Sequence, residues 1–181
     1  RICCDEQNVY AIWHNGSVTS DHGRVYMNSS SDGGATWLGD AEVGTFSTGS
    51  GGTATSTRTA KFPSVECSGD SVYVAWVDNR NGPDNGFLSY SADAGATWQP
   101  DTQLDVNHTG GAERVSPELA LSGNNVHVVW STDNEIRSNS SADGGATWLP
   151  NTVQVDGGFG NSLLPKVSAS GNNVYVTWTN D

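Results

Sequence analysis

The sequence predicts an all-β propeller of four-stranded antiparallel blades, about three and a half of them within this chain. Three observations carry the prediction. All seven tryptophans fall on one of two repeating positions. Apolar residues alternate with period two in short runs bounded by Gly, Asn and Pro, the pattern of antiparallel strands. No stretch has a convincing helical period.

The first repeating position closes an octapeptide, Ser-x-Asp-x-Gly-x-Thr-Trp, that occurs three times. Its copies place Ser30, Asp32, Gly34, Thr36 and Trp37 in the first, Ser91, Asp93, Gly95, Thr97 and Trp98 in the second, and Ser141, Asp143, Gly145, Thr147 and Trp148 in the third. The second position ends an alternating run and holds Trp13, Trp76, Trp130 and Trp178, spaced by 63, 54 and 48 residues. Each unit opens on a Pro-led segment (Pro63, Pro117, Pro165) and passes a tight turn (Gly69, Gly123, Gly171). The tryptophan run, the octapeptide and a short last strand follow. Val72, Val74 and Trp76 share one strand face, Tyr73 and Ala75 the other. Strands apolar on both faces belong between neighbouring sheets, as propeller blades do. The blade units run over 1–43, 62–105 and 116–156, with a partial blade over 164–181. Residues 44–60 are dominated by Gly, Ser, Thr and Ala and read as an inserted loop. A second long connection spans 101–116.

Bulk composition narrows the partners. The chain has 181 residues, a formal charge of −12 and only 15% charged residues. That balance argues against nucleic acid, which needs a basic face, and against an anionic membrane surface. There is no long apolar run and no signal-peptide pattern. Uncharged polar surface with few lysines points to an extracellular setting. The first residue is Arg1, so the chain reads as processed or as a piece of something longer. Four sequons, at Asn15, Asn28, Asn107 and Asn139, are candidate N-glycosylation sites conditional on secretion. The three cysteines leave an odd one. Cys4 and Cys67 both lie nine residues before a repeat tryptophan. A bridge from Cys67 to Cys4 or to Cys3 would tie neighbouring units; buried free thiols are the alternative.

The octapeptide resembles the Asp-box of sialidase-like β-propellers, the bacterial neuraminidase repeat, and all three copies match at every defined position. The resemblance implies that the turn joins the third and fourth strands on the face away from the active site, as scaffold. The residue types have their own logic. The Asp carboxylate accepts backbone N–H groups, the Gly takes positive φ, and the Trp anchors the hairpin. A calcium or catalytic role for the three Asp residues is the lesser reading, since their spacing does not match an EF-hand loop.

Ligands of propellers bind where loops between second and third strands, and between blades, converge. Those loops carry His14, Asp21, His22, Arg24, Asp78, Arg80, Asp84, His108, Glu113, Arg114 and Asp133. The strongest ligand-face candidates are Asp21, His22, Arg24, Asp78, Arg80, His108, Arg114 and Asp133. Asp78 to Gly82 resembles a run common in bacterial members of the superfamily, and its simpler reading is an Asp/Arg pair bracing a loop. His127 occupies a repeat position held by tyrosine elsewhere and reads as core. No histidine pair has metal spacing, and neither metal nor cofactor is expected.

The family's sialidases use three arginines, a Tyr–Glu pair and an Asp. Arg1-Ile2-Cys3 imitates the Arg-Ile-Pro motif, but alignment on the tryptophans matches Arg1 to Ser64. The residues two before the repeat prolines are Lys61, Val115 and Leu163, and no glycosidase constellation assembles. The function expected from sequence is a non-catalytic extracellular propeller module, structural or adhesive. It would self-associate into a ring or filament through incomplete blades, with other copies or missing chain as partner and glycan as a further ligand. A sialidase-like glycoside hydrolase, or a fragment of one, and a carbohydrate-binding module are the alternatives.

Overall fold

The computed structural model describes residues 1–15, 22–44, 58–80, 84–105, 115–158 and 160–181. Among them there is no helix, and strands assemble into four sheets. The first sheet runs β1 (Ile2–Asp5), β2 (Asn8–Asn15), β3 (His22–Ser30) and β4 (Ala41–Glu42), with β5 (Arg58–Thr59) also on β3. The second runs β6 (Lys61–Ser68), β7 (Ser71–Asp78), β8 (Asn85–Ser91) and β9 (Thr102–Gln103). The third runs β10 (Val115–Ser122), β11 (Asn125–Thr132), β12 (Glu135–Ser141) and β13 (Val153–Gln154). The fourth is a two-stranded sheet of β14 (Ser162–Ser170) and β15 (Asn173–Asn180). All pairings are antiparallel except β5 with β3. That exception departs from the sequence expectation. The end of the segment read as an inserted loop adds a short parallel strand, and the Ala60 amide donates to the Gly23 carbonyl at 3.0 Å.

The first strands of successive sheets pack side by side, β1 on β6, β6 on β10 and β10 on β14, and so line the inside of the arc. Sheets stack face to face through their alternating side chains. Val72, Val74 and Trp76 join Tyr10, Ile12, Val25 and Met27 in the core between the first two sheets. Tyr73, Ala75 and Leu88 join Leu119, Val126, Val128 and Trp130 in the core between the second and third. A strand apolar on both faces thus serves two interfaces, which is why the runs lack a polar side. The arrangement is a β-propeller arc of about four blades.

The same alternation decides the cysteine pairing. Equivalent residues in successive blades point the same way around the arc, so they cannot face one another across an interface. Cys67 faces the first sheet, whereas its repeat equivalent Cys4 points away from the second. The residue of opposite parity, Cys3, meets Cys67 instead and is bonded to it, with Cα atoms 6.1 Å apart. Of the two pairings the sequence leaves open, Cys3–Cys67 is therefore the one formed, and Cys4 is an exposed thiol.

Each octapeptide closes on itself in the same way. The Ser hydroxyl donates to the Asp carboxylate at 2.7 Å and accepts the Gly amide at 2.8–2.9 Å. The Thr hydroxyl and amide donate to the two Asp oxygens at 2.6 and 2.8 Å. Gly34, Gly95 and Gly145 hold φ near +90° (91°, 89° and 90°), which a side chain would oppose. With three donors on each carboxylate, Asp32, Asp93 and Asp143 are held at a pKa of about 2, chiefly by the Thr hydroxyl, then the Thr amide and the Ser hydroxyl. Each turn also leans on the hairpin of its own sheet: Gly33 N donates to Gln7 O, Ala94 N to Asp70 O and Gly144 N to Asn124 O. The octapeptides therefore sit at the end of the sheets marked by the first tight turns.

Candidate functional site

The opposite end of the sheets is where the inner strands begin, and there the repeat prolines shape the backbone. Proline has no amide to give the ladder, and the β6–β7, β10–β11 and β14–β15 registers each shift across it, between Lys61 and Ser64, Val115 and Glu118, and Leu163 and Lys166. The residue ahead of the proline is turned out at two of these bulges. Phe62 and Leu164 adopt φ of +53° and +51°, a left-handed backbone that costs a side-chain-bearing residue about 1 kcal/mol or more. Their side chains are 40% and 60% exposed.

An open cleft of about 410 Å³ lies at this mouth, lined by Arg1, Ile12, Trp13, His14, Phe62, Pro63 and Ser116. Three first strands contribute to it. Arg1 enters just ahead of β1, the β6 bulge brings Phe62, and the β10 bulge brings Ser116. Beside it lies a charged cluster built from one repeat position. Arg1, Ser64, Glu118 and Lys166 each stand twelve residues before a repeat tryptophan. Because equivalent positions on adjacent inner strands lie at the same depth, their side chains converge. Arg1 forks onto Glu118, with Nη2 at 2.5 Å and Nη1 at 3.4 Å, and Nη2 also donates to Ser116 Oγ at 3.2 Å. Lys166 Nζ donates to the same Glu118 carboxylate at 2.5 Å. Glu66, two residues further along β6, is half-buried; burial first and the Glu118 charge second push its pKa up.

No sequence motif marks this cluster, which lies on the inner strands and not in the loops. Of the described loop candidates, His14 lines the cleft. Arg24 lies on β3 in an exposed ion pair with Glu42 at 2.6 Å. Asp78 is fully buried and is forked by Arg80, which also reaches Asp101 at 2.5 Å and lies 4.2 Å over the Phe87 ring. Burial alone would lower the Arg80 pKa, but the two carboxylates outweigh it and raise it. This network ties the end of β7 to the approach to β9 and points no charge into the cleft. Asp84 pairs with Lys61 at 3.0 Å. Asp133 and Asn134, with φ of +49° and +66°, form the two-residue turn between β11 and β12. Asp21, His108, Glu113 and Arg114 lie outside the described residues, as does the Asn107 sequon; of His22 the backbone alone is described, at the start of β3.

The described sequon asparagines differ in their surroundings. Asn139 is buried, its amide donating to Leu104 O at 2.8 Å and its oxygen accepting the Ser140 amide. Asn28 is likewise engaged, with Asp40 and the Gly39 amide. Both hold the position that ties β3 or β12 to the chain after the octapeptide, a task done by Ser89 in the second sheet. Asn15 is exposed at the end of β2 and accepts the Arg24 amide.

Among the described residues no group of three or more His, Cys, Asp or Glu side chains could hold a metal. No helix among them is long and apolar enough to cross a membrane.

No protein-family model matches the chain, and no curated protein resembles it in sequence. Solved structures do match its fold. The Hadza microbial sialidase Hz136 superposes with a TM-score of 0.66 at 14% identity, over 97% of this chain and 44% of that one. Trypanosoma rangeli sialidase in complex with sialic acid gives 0.65 at 17% identity, over 99% and 33%. Penicillium chrysogenum α-L-arabinanase complexed with arabinobiose gives 0.57 at 14% identity, over 96% and 59%. The fold is that of the sialidase-like β-propellers. The chain spans between about a third and three fifths of the length of these neighbours.

Proposed function

We propose that the chain is a saccharide-binding arc of a sialidase-like propeller, extracellular, with its three octapeptides serving as Asp-box turns that brace the scaffold. The observation that carries the reading is the cleft at the mouth of the inner strands, where Trp13 and Phe62 stand beside Arg1 and Ser116. Aromatic faces next to fixed polar donors are what a sugar ring requires. Two of the fold neighbours are described as complexes with sialic acid and with arabinobiose, which supports a sugar at this kind of fold. The Cys3–Cys67 bond supports an oxidising compartment.

Binding without turnover is the favoured form. The hydroxyls of Tyr10 and Tyr73 are directed to backbone carbonyls at the octapeptide end, at Gly69 and Gly144, far from the cleft. The test is titration with a panel of neutral and acidic oligosaccharides, followed by tryptophan fluorescence, with fluorogenic sialoside and arabinoside assays alongside. Saturable binding that Trp13→Ala weakens by about tenfold or more supports the reading. Turnover would replace it with a hydrolase, and the absence of binding would remove it.

A structural or adhesive, self-associating role is the second reading, favoured by one observation. On the fourth sheet Tyr175 is 63% exposed and Trp178 38% exposed, and β15 has no further strand beside it among the described residues. Sedimentation of native material tests it, with oligomers expected and a concentration-independent monomer counting against it.

A further inference from the structure

We infer that Glu118 is the specificity-determining residue of the cleft, an internal counter-anion that holds the place a sugar carboxylate would take, so that the cleft selects uncharged saccharides over acidic ones. The inference rests on the saccharide reading above and names its ligand class.

A guanidinium offers a planar fork that matches one carboxylate at a time. The fork of Arg1 is used on Glu118, through Nη1 and Nη2. The other cation of the cluster, Lys166, is spent on the same carboxylate. Two cations thus share one anion, and Glu66 stands beside that anion as a further acidic group. Among the described residues that line the cleft, His14 is the remaining one with a titratable side chain, and the Arg1 α-ammonium donates to Ile12 O at 2.9 Å. Only 13% of the Glu118 side chain is exposed. An acidic sugar must therefore either displace Glu118 from Arg1, leaving a largely buried carboxylate on Lys166 alone, or enter with its charge met only by the outer edge of a guanidinium already paired. Both are costly. The chain as a whole carries −12 and opposes the approach of anions. A neutral sugar meets no such cost. It needs hydroxyl partners, which Ser116 and the outer guanidinium edge supply, and an apolar face, which Phe62 presents from its left-handed backbone.

The experiment compares the whole chain, Glu118→Gln and Glu118→Asp in titrations with lactose, arabinobiose and 3′-sialyllactose. Acetate is titrated in parallel and followed through the Arg1 guanidinium NMR signal. The wild type is expected to bind a neutral probe at least about tenfold more tightly than sialyllactose. Glu118→Gln, which frees both cations, should improve sialyllactose binding by about tenfold or more and leave the neutral sugar within about threefold. Glu118→Asp keeps the charge and should keep the exclusion. Equal binding of the two sugar classes by the wild type, or an unchanged ratio in Glu118→Gln, overturns the inference. If no sugar binds any variant while acetate perturbs Arg1 in Glu118→Gln alone, the saccharide reading falls and the counter-anion role stands. Acetate acting equally on both proteins overturns that role as well. Should Glu118→Gln fail to fold, Lys166→Met decides: with Arg1 and Glu118 still paired it should retain the neutral preference, and its loss contradicts the inference.

Discussion

Replacing Trp76 and Trp178 with alanine, one at a time, makes one repeat position report on the whole architecture. Trp76 is 0% exposed, stacks on Phe87 at 6.3 Å between centroids, and its indole N–H donates to Asp78 at 3.3 Å. An indole buries about 200 Å², worth about 5 kcal/mol at about 25 cal/mol per Å². Alanine keeps a part of that, so Trp76→Ala should cost about 4 kcal/mol, within the usual range for such truncations. Trp178 ends the equivalent strand β15 but is 38% exposed. About three fifths of the burial remains there, which scales the cost to about 2.5 kcal/mol. Urea unfolding followed by far-UV circular dichroism measures both, because it does not depend on the fluorophore removed. Equal losses at the two positions would refute the stacking of sheets described above, in which Trp76 lies between two complete blades.

Three further outcomes follow from the same contacts. Arg80→Met should destabilise by about 3–5 kcal/mol, because it leaves the buried Asp78 and Asp101 carboxylates without their shared cation; thermal melting within a degree of wild type would contradict that role. Asp32, Asp93 and Asp143 are depressed to a pKa of about 2, so the stability they contribute is full above the unfolded value near 3.8 and is lost as pH falls through about 2. A Thr36→Val, Thr97→Val and Thr147→Val triple variant should lose much of that acid dependence in pH-jump unfolding, and an unchanged profile would count against the turn geometry. Reduction of Cys3–Cys67, which closes a loop across a separation of 64 residues, should cost about 4 kcal/mol by the chain-entropy relation, while Cys4 labels with a maleimide before any reductant is added.

Much of the fold was legible because it is periodic. The tryptophan positions, the repeat prolines and the octapeptides each mark one structural place, and strand alternation identified both interfaces of a blade. The cysteine pairing was less legible for the same reason. Matching Cys4 with Cys67 by repeat position selects residues that point the same way, and contact across an interface requires opposite parity. The Asn28 and Asn139 sequons arise because a side-chain amide at that position ties the sheet to the chain beyond the octapeptide, with Ser residues following for the turn itself. The axial cluster was the hardest to see. Arg1, Ser64, Glu118 and Lys166 occupy one repeat position with four different residue types, so no pattern announces them. The signal that could have found them is the register that matched Arg1 to Ser64. The same register places four inner-strand residues at one depth on the arc.

The most direct test of the account is to watch where a saccharide lands. Side-chain NMR of the tryptophan indoles and the Arg1 guanidinium during titration with arabinobiose and lactose separates the two ends of the propeller. The account predicts saturable shifts at Trp13 and Arg1, with the octapeptide residues Trp37 and Trp148 unmoved. Shifts confined to Trp37 and Trp148, or none at Trp13 with saturating sugar bound elsewhere, would contradict it.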